Sequence, residues 1–235
     1  MDKLDYTTFQ EIEHEGVTYS FNPYAVGTGL WTIKGGAINV NRALQKTLNK
    51  LAFGYEELPK MSERFKLANE DQKSRLKQTA VEWLEAKTQM IKMGYSSVPD
   101  SVSSSFPDII GNMFFYEYSP KNKQTLKEWD KYPLAIILEK YQNGFLGLNL
   151  HYLSGSDRTA LLMALLSTRI YDPNRDIMKV SCDYGYLVQS TKKFPNYKRC
   201  LKRYLISHVK GRLLMIRPHE WGYSVSLPLQ EFNYN

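Results

Sequence analysis

The stretch LAIILEKYQNGFLGLNLHYL, residues 134–153, decides the fold. LAIILEK (134–140) is apolar and β-branched enough for a buried strand. FLGLNLHYL (145–153) alternates Phe145, Gly147, Asn149 and His151 against Leu146, Leu148, Leu150 and Tyr152, the period-two pattern of a second strand. Between them Gln142-Asn143-Gly144 is a strong hairpin signal, because Asn-Gly tolerates the positive φ that tight hairpin turns need. Upstream, MFFYEY (113–118) reads as a third strand. Downstream the period changes: Ser156 and Asp157 can cap a helix over 157–169, and DIMKVSCDYGYLVQS (176–190) reads as a weaker helix interrupted by Gly185. YSVSLPL (223–229) alternates again and reads as a closing strand. The class is therefore α+β: a small antiparallel sheet or SH3-like barrel with a helical insertion, whose last strand returns beside the first ones.

The second informative stretch is KKFPNYKRCLKRYLISHVKGRLLMIR (192–217), with nine Lys or Arg and no Asp or Glu. Tyr, Leu, Ile, Val and Met alternate with the cations at helical spacing, which predicts a basic helix over 196–214 entered after Pro195. Leu201, Leu205, Val209 and Leu213 then face the core. Lys192, Lys193, Lys198, Arg199, Lys202, Arg203, Lys210 and Arg212 are the candidate binding residues for nucleic acid or an acidic protein partner. A merely solvated basic face is the competing reading. The net charge of +7 is uneven: residues 1–109 carry 13 Lys+Arg and 14 Asp+Glu, whereas residues 110–235 carry 18 and 10. Only the second part looks adapted to a polyanion. The 17 Tyr suit surfaces that become buried against a partner.

Residues 1–37 read as an irregular, extended arm with a short strand within 16–24 and an exposed Trp31. Within it GTGLWTIKGG (27–36) lacks the Gly-Lys-Ser/Thr ending of a phosphate loop and the spacing of a dinucleotide fingerprint, so a turn is preferred. Residues 38–95 form a helical region. One helix spans 38–53, capped by Asn39 or Asn41 and stopped at Gly54. A longer one spans about 70–93, with Asn69 as N-cap and Glu70 and Asp71 in the first turn. Ser and Pro dominate 96–109, a linker, and 110–235 is the α+β domain. Cys182 and Cys200 lack zinc spacing and make no disulfide framework, so both read as reduced, buried thiols. The acidic start MDKLDYTTFQEIEHEG does not read as a signal peptide, and no run of about 18 apolar residues predicts a membrane span.

The string FFYEYSPKNKQTLKEWDKYPLAIILEKYQNGFLGLNLHYL (114–153) resembles a family of small virion proteins of contractile-tailed (myovirus-type) bacteriophages. The residues that carry the likeness are Tyr118, Pro120, Lys121, Leu126, Trp129, Asp130, Tyr132, Pro133, Leu134 and the run Gly144–Leu153, including His151 and Tyr152. Lys198–Leu205, Ser207–Val209, Glu220-Trp221 and Leu227-Pro228-Leu229 continue it, and VEWLEAK (81–87) is similar to the family's Trp-bearing helix. The likeness covers roughly 80–235. The chain departs from the pattern at Lys127-Glu128, where Pro-Tyr is usual, and at Ser154-Gly155. Trp129, Asp130, Pro133, Asn143, Gly144, His151 and Tyr152 are taken as the structural motif. The resemblance implies a phage particle, assembled in the host cytoplasm, and no catalysis.

Catalytic and metal constellations are weak. His151 is read as a hydrogen-bonded structural imidazole rather than a base or ligand, because no acidic or Cys partner lies at metal spacing. Glu11, Glu13 and Glu15 flank His14, and an acidic arm is preferred over a metal site. Asp130 and Asp157 near Arg158 suggest an acid–base pair, but capping explains Asp157 and a turn explains Asp130 more simply. No cofactor and no enzymatic activity are expected. The preferred reading is a structural connector in the tail, baseplate or neck whose partners are other virion proteins. The alternative is a DNA-binding head-completion or DNA-end-protector protein that uses the same cations on double-stranded DNA.

Overall fold

A computed structural model of the chain describes residues 10–23, 30–34, 40–59, 63–64, 68–95, 109–166, 168, 170–172, 177–181, 196–228 and 232–234. Near the start, the backbone reverses over Glu15 (φ 53°) and Gly16 (φ 74°), the left-handed pair that a tight hairpin between right-twisted strands requires. The turn joins β1 (Gln10–His14) to β2 (Val17–Phe21), and β3 (Trp31–Ile33) pairs with β2 to complete a three-stranded antiparallel sheet. Phe21 and Trp31 pack against Leu48 and Phe53 of α1 (Arg42–Phe53). Residues 10–14, 17–21 and 31–33 are thus strands rather than part of the irregular arm that the composition of 1–37 predicts, and Trp31 is 1% exposed, its Nε1 donating to Asn49 Oδ1 at 2.8 Å. Strands of three to five residues carry too little alternation to announce themselves, and the partners of Trp31 lie in the next helix.

The helices begin and end where the capping chemistry puts them. Asn41 accepts from Leu44 N at the start of α1, and Gly54 (φ 77°) closes it. Asn69 and Gln72 form a reciprocal capping box at the start of α2 (Glu70–Lys92), with Glu70 and Asp71 against the positive end of the helix dipole. α2 buries Leu76, Ala80 and Ile91.

The main sheet is built from runs that are apolar at consecutive positions because both of its faces are covered. β4 (Met113–Tyr118), β6 (Leu134–Tyr141), β7 (Gly144–Asn149), β10 (Leu201–Leu205) and β11 (Val209–Met215) pair antiparallel in the order β10-β7-β6-β4-β11. β5 (Glu128–Trp129) lies in the connection between β4 and β6 and pairs with β12 (Asn233–Tyr234). The two edge strands, β10 and β11, are joined only by the turn Ile206–His208, so the sheet has to curl until its edges approach each other. Inside the curl lie Phe114, Tyr116, Tyr118, Ala135, Ile137, Phe145 and Tyr204. Met113, Phe115, Leu134, Ile136 and Leu148 point outward into a larger core shared with the helices. Tyr204 of β10 meets the rings of Tyr116 and Tyr118 edge-on at 5.4 and 4.9 Å, although β10 and β4 are not paired.

The insertion between β7 and β10 contains α3 (Gly155–Leu166), the short hairpin of β8 (Ile170–Asp172) and β9 (Ile177–Lys179), and α4 (Asn196–Cys200). Ser154, rather than Ser156 or Asp157, starts α3, accepting from Asp157 N on its hydroxyl. Three further expectations are corrected. The basic helix over 196–214 is α4 followed by two edge strands, because the same apolar residues that recur at helical spacing also alternate, and only strands close the sheet. Its buried positions are accordingly Tyr197, Cys200, Tyr204 and Leu214, with Leu201, Leu205, Val209 and Leu213 partly buried. The helix over 176–190 gives way to β9 at 177–179, and its remainder from 182 lies outside the described residues. The closing strand over 223–229 is replaced by a short helix, α5 (Tyr223–Ser226), because β11 already occupies the sheet edge.

Arg158, 0% exposed, holds that C-terminal turn. It donates to the carbonyls of Leu153, Ser224, Leu227 and Pro228, an all-backbone set that satisfies a buried guanidinium without a carboxylate. Burial lowers its pKa to about 10, so it stays charged at neutral pH. Glu220 fastens α2 to the same region by accepting from Lys87 Nζ at 2.5 Å, Trp83 Nε1 at 3.0 Å and Arg217 N at 3.1 Å.

The hairpin at 142–144 forms as predicted, but for a different reason. Neither Asn143 nor Gly144 has positive φ. A Cβ on Gly144 would lie 1.9 Å from the carbonyl oxygen of Tyr204, so glycine is there to admit β10. Gly144→Ala should therefore destabilise the protein by about 3 kcal/mol or more, measured by chemical denaturation. Gly54→Ala, which meets open space at positive φ, should lose only about 1 kcal/mol.

Candidate nucleic-acid interface

A cleft of about 500 Å³ opens between the segment that links β4 to β6 and the edge strand β10. Its position follows from Asp130. That carboxylate, 11% exposed, accepts from Tyr132 N at 2.9 Å, from Asn149 Nδ2 at 2.9 Å and from His151 Nδ1 at 2.9 Å. The first bond makes the turn that the Asp-Lys-Tyr-Pro sequence implies; the others reach β7 and the turn after it. Burial pushes the Asp130 carboxyl up, but the imidazole and the donated hydrogen bonds outweigh it and hold it below its ordinary value. Asn149 also donates to Tyr204 Oη at 3.0 Å, so the loop is tied through β7 to β10.

His151 is buried and hydrogen-bonded to Asp130, and Pro133 is buried, its carbonyl accepting from Tyr116 N at 3.3 Å. Arg158 is engaged with backbone carbonyls, so it does not join Asp130 and Asp157 in an acid–base set. Cys200 is free and fully buried, as expected, and burial pushes its thiol up to about 12; Cys182 lies outside the described residues. Glu11 and Glu13 sit on the exposed face of β1, Glu11 paired with Lys34 at 2.8 Å. Among the described residues no group of three His, Cys, Asp or Glu is placed to hold a metal ion. None of the described helices is long and apolar enough to cross a membrane.

The predicted cations divide into two groups. Lys210 and Arg212 are exposed on β11, Lys210 opposite Glu117 of β4. Lys202 and Arg203 on β10 line the cleft, Arg199 on α4 reaches it through Glu128, and Lys198 is exposed on α4. Lys192 and Lys193 lie outside the described residues. Arg199 is committed to Glu128 by a bidentate pair at 3.0 and 2.5 Å, which holds that carboxyl below its usual value. Arg203 rests on the Tyr141 ring at 4.7 Å and donates to Asn143 Oδ1 at 3.1 Å. The half-buried Lys202 lies 4.0 Å over the Tyr152 ring, Phe232 stacks on that ring at 4.2 Å, and the Arg199 guanidinium lies 5.9 Å from its centre. Burial lowers the Lys202 pKa, against the pull of Glu128. Lys202 makes no hydrogen bond or ion pair among the described residues, so its three N–H donors are available to a ligand.

The opposite wall was missed as a basic surface. It carries Lys121, exposed at the rim, with Lys123 4.7 Å over the Trp129 ring. The signal was present in SPKNKQTLKEWDK (119–131), whose four lysines are interrupted by acids that turn out to be occupied: Glu128 by Arg199 and Asp130 by its three donors. Trp129, Asp130, Asn143 and Tyr152, distant in sequence and singled out only as structural motif, line one cleft with Lys121, Lys202 and Arg203.

Asp130→Ala would strand three donors and should destabilise the protein by about 3 kcal/mol in denaturation experiments. Asp130 and Glu220 are both harder to protonate when folded, Glu220 because Lys87, Trp83 and Arg217 together overcome its burial. Their stabilisation is complete above their ordinary values of 3.8 and 4.5 and is lost as pH falls through the lower folded-state values. A melting temperature that declines on acidification below that range in the wild type, and less steeply in Glu220→Gln, is the expected result.

No curated protein and no solved structure matches the chain. A family model does, that of the phage T4 terminal DNA protecting protein, over residues 37–235. The match begins well upstream of residue 80 and takes in α1, α2, the curled sheet and both walls of the cleft. On that extent the chain belongs to the phage T4 terminal DNA protecting protein family.

Proposed function

We propose that the protein binds the ends of linear phage DNA and shields them from exonucleases, acting by occupancy and without catalysis. The observation that carries the reading is Lys202, a half-buried ammonium with no hydrogen bond or ion pair among the described residues. It stands in a cleft whose rim adds Lys121 and Arg203, in a member of a family named for protecting DNA termini. A buried or half-buried ammonium is costly to desolvate, and an arriving phosphate offsets that cost. Lys121, Lys202 and Arg203 supply contacts to the sugar–phosphate backbone, which give affinity without sequence preference. Association with the packaged genome in the virion is part of this proposal. A connector role in the tail or baseplate has less support, because part of the aromatic content it relied on is interior: Tyr116, Tyr118 and Tyr204 fill the curled sheet. Contacts with other virion proteins at the neck are compatible with end binding and form the secondary part of the proposal.

The test is degradation of linear duplex DNA by a processive exonuclease with and without excess protein. Strong slowing by the wild type is expected, and its loss in Lys121→Glu/Lys202→Glu/Arg203→Glu at unchanged melting temperature. In direct binding the triple variant should lower the log–log salt slope by about 3. Equal protection by wild type and variant would contradict the assignment.

A further inference from the structure

We propose that the cleft holds one unpaired nucleotide at the terminus of a DNA strand, with its phosphate on Lys202 and its base against Trp129. The inference rests on the DNA-end reading above and specifies what part of the end is bound. Size is the first argument. About 500 Å³ falls in the range of small-ligand pockets, roughly 300–1,000 Å³. An intact duplex is a convex cylinder, read by inserting protein elements into its grooves, and it cannot enter such a concavity. A frayed or overhanging nucleotide can.

Lining is the second. Trp129, Leu126 and Pro120 give an aromatic and apolar wall, and Lys202 stands on the facing strand. Single-stranded nucleic acid is held by this pairing of a flat ring for the base with cations for the backbone, and the stacking tolerates any base. Lys123, 4.7 Å over the Trp129 ring, is not among the residues that line the cleft, whereas Trp129 is. The amides of Asn122 and Asn143 add polar groups that suit a base edge.

Charge is the third. The cleft contains two acids, yet neither opposes a phosphate strongly: Glu128 is neutralised by its bidentate Arg199, and both oxygens of Asp130 accept internal hydrogen bonds. Lys202 is held in place by the ring of Tyr152, itself backed by Phe232, so the cation is positioned before the ligand arrives.

The experiment compares three labelled duplexes of equal length by fluorescence anisotropy: one closed by hairpins at both ends, one blunt-ended, and one with short single-stranded overhangs. The overhang duplex is expected to bind about tenfold tighter than the closed one, with the blunt duplex between them. Lys202→Met and Trp129→Ala should each remove the overhang preference, and Trp129→Phe should retain most of it. Blunt and overhang ends bound equally, both tighter than the closed duplex, would overturn the unpaired-nucleotide inference and leave the end-binding function standing. Closed and open duplexes bound equally, or no DNA bound, would overturn both. An overhang preference that survives Lys202→Met and Trp129→Ala would place the nucleotide elsewhere. Displacement of the overhang duplex by a free deoxynucleoside monophosphate at micromolar concentration would reassign the cleft to free nucleotides.

Discussion

One carboxylate organises the cleft of this molecule. Asp130 sits in a long connection between two strands that has little regular structure of its own, and a loop of that kind has no fixed place unless its polar groups find internal partners. Its three donors come from the loop itself, from the end of β7 and from the turn that begins the insertion. Through Asn149 the same network reaches Tyr204, the residue of β10 that fills the curled sheet. Charge-assisted hydrogen bonds of this kind fix direction as well as distance. The loop that carries Lys121 and Trp129 is thereby placed opposite the strand that carries Lys202 and Arg203, and a cleft results from the separation between them.

The curl of the sheet supplies the second constraint. Joining both edge strands by the single turn Ile206–His208 leaves an interior too narrow for layered helices, and aromatic rings packed edge to face fill it. Much of the Tyr content is consumed there and in the neighbouring core, where Tyr116, Tyr118, Tyr152, Tyr197 and Tyr204 are all buried. Close approach of β10 depends on the missing side chain at Gly144. Stability and cleft geometry thus share residues, so substitutions at Gly144, Asn149 or Asp130 disturb the cleft through the fold, whereas Lys121 and Lys202 can be changed without opening it.

The parts of the fold that were legible in the sequence are those set by local chemistry. Asn41 and Gly54, and Asn69, bound their helices at the residues where the caps stand. The runs 113–118, 134–141 and 144–149 are strands because nothing but a doubly covered sheet accommodates them. The basic segment was misread because LKRYLISHVKGRLLM satisfies two periods at once, and the choice between them is made by distant partners: β7 takes Leu201–Leu205 and β4 takes Val209–Met215. The first sheet was hidden by its short strands and by a core completed only in α1. At the site, half of the cation set was legible as charge. The other half, on the loop with Lys121, was masked by acids whose neutralisation only the tertiary structure displays. Trp129 and Tyr152 were flagged by resemblance alone, Asp130 and Asn143 also as turn residues and His151 as a structural imidazole, and no local property of the chain announces that they converge.

Hydrogen exchange on the protein alone, with linear duplex DNA and with covalently closed circular DNA of the same sequence tests most directly the claim that this cleft receives a DNA end. Slowed exchange in 119–131 and 198–205, seen with linear and not with circular DNA, is the predicted result. Slowing confined to β11 or to the N-terminal sheet, or identical patterns with both DNAs, would contradict it.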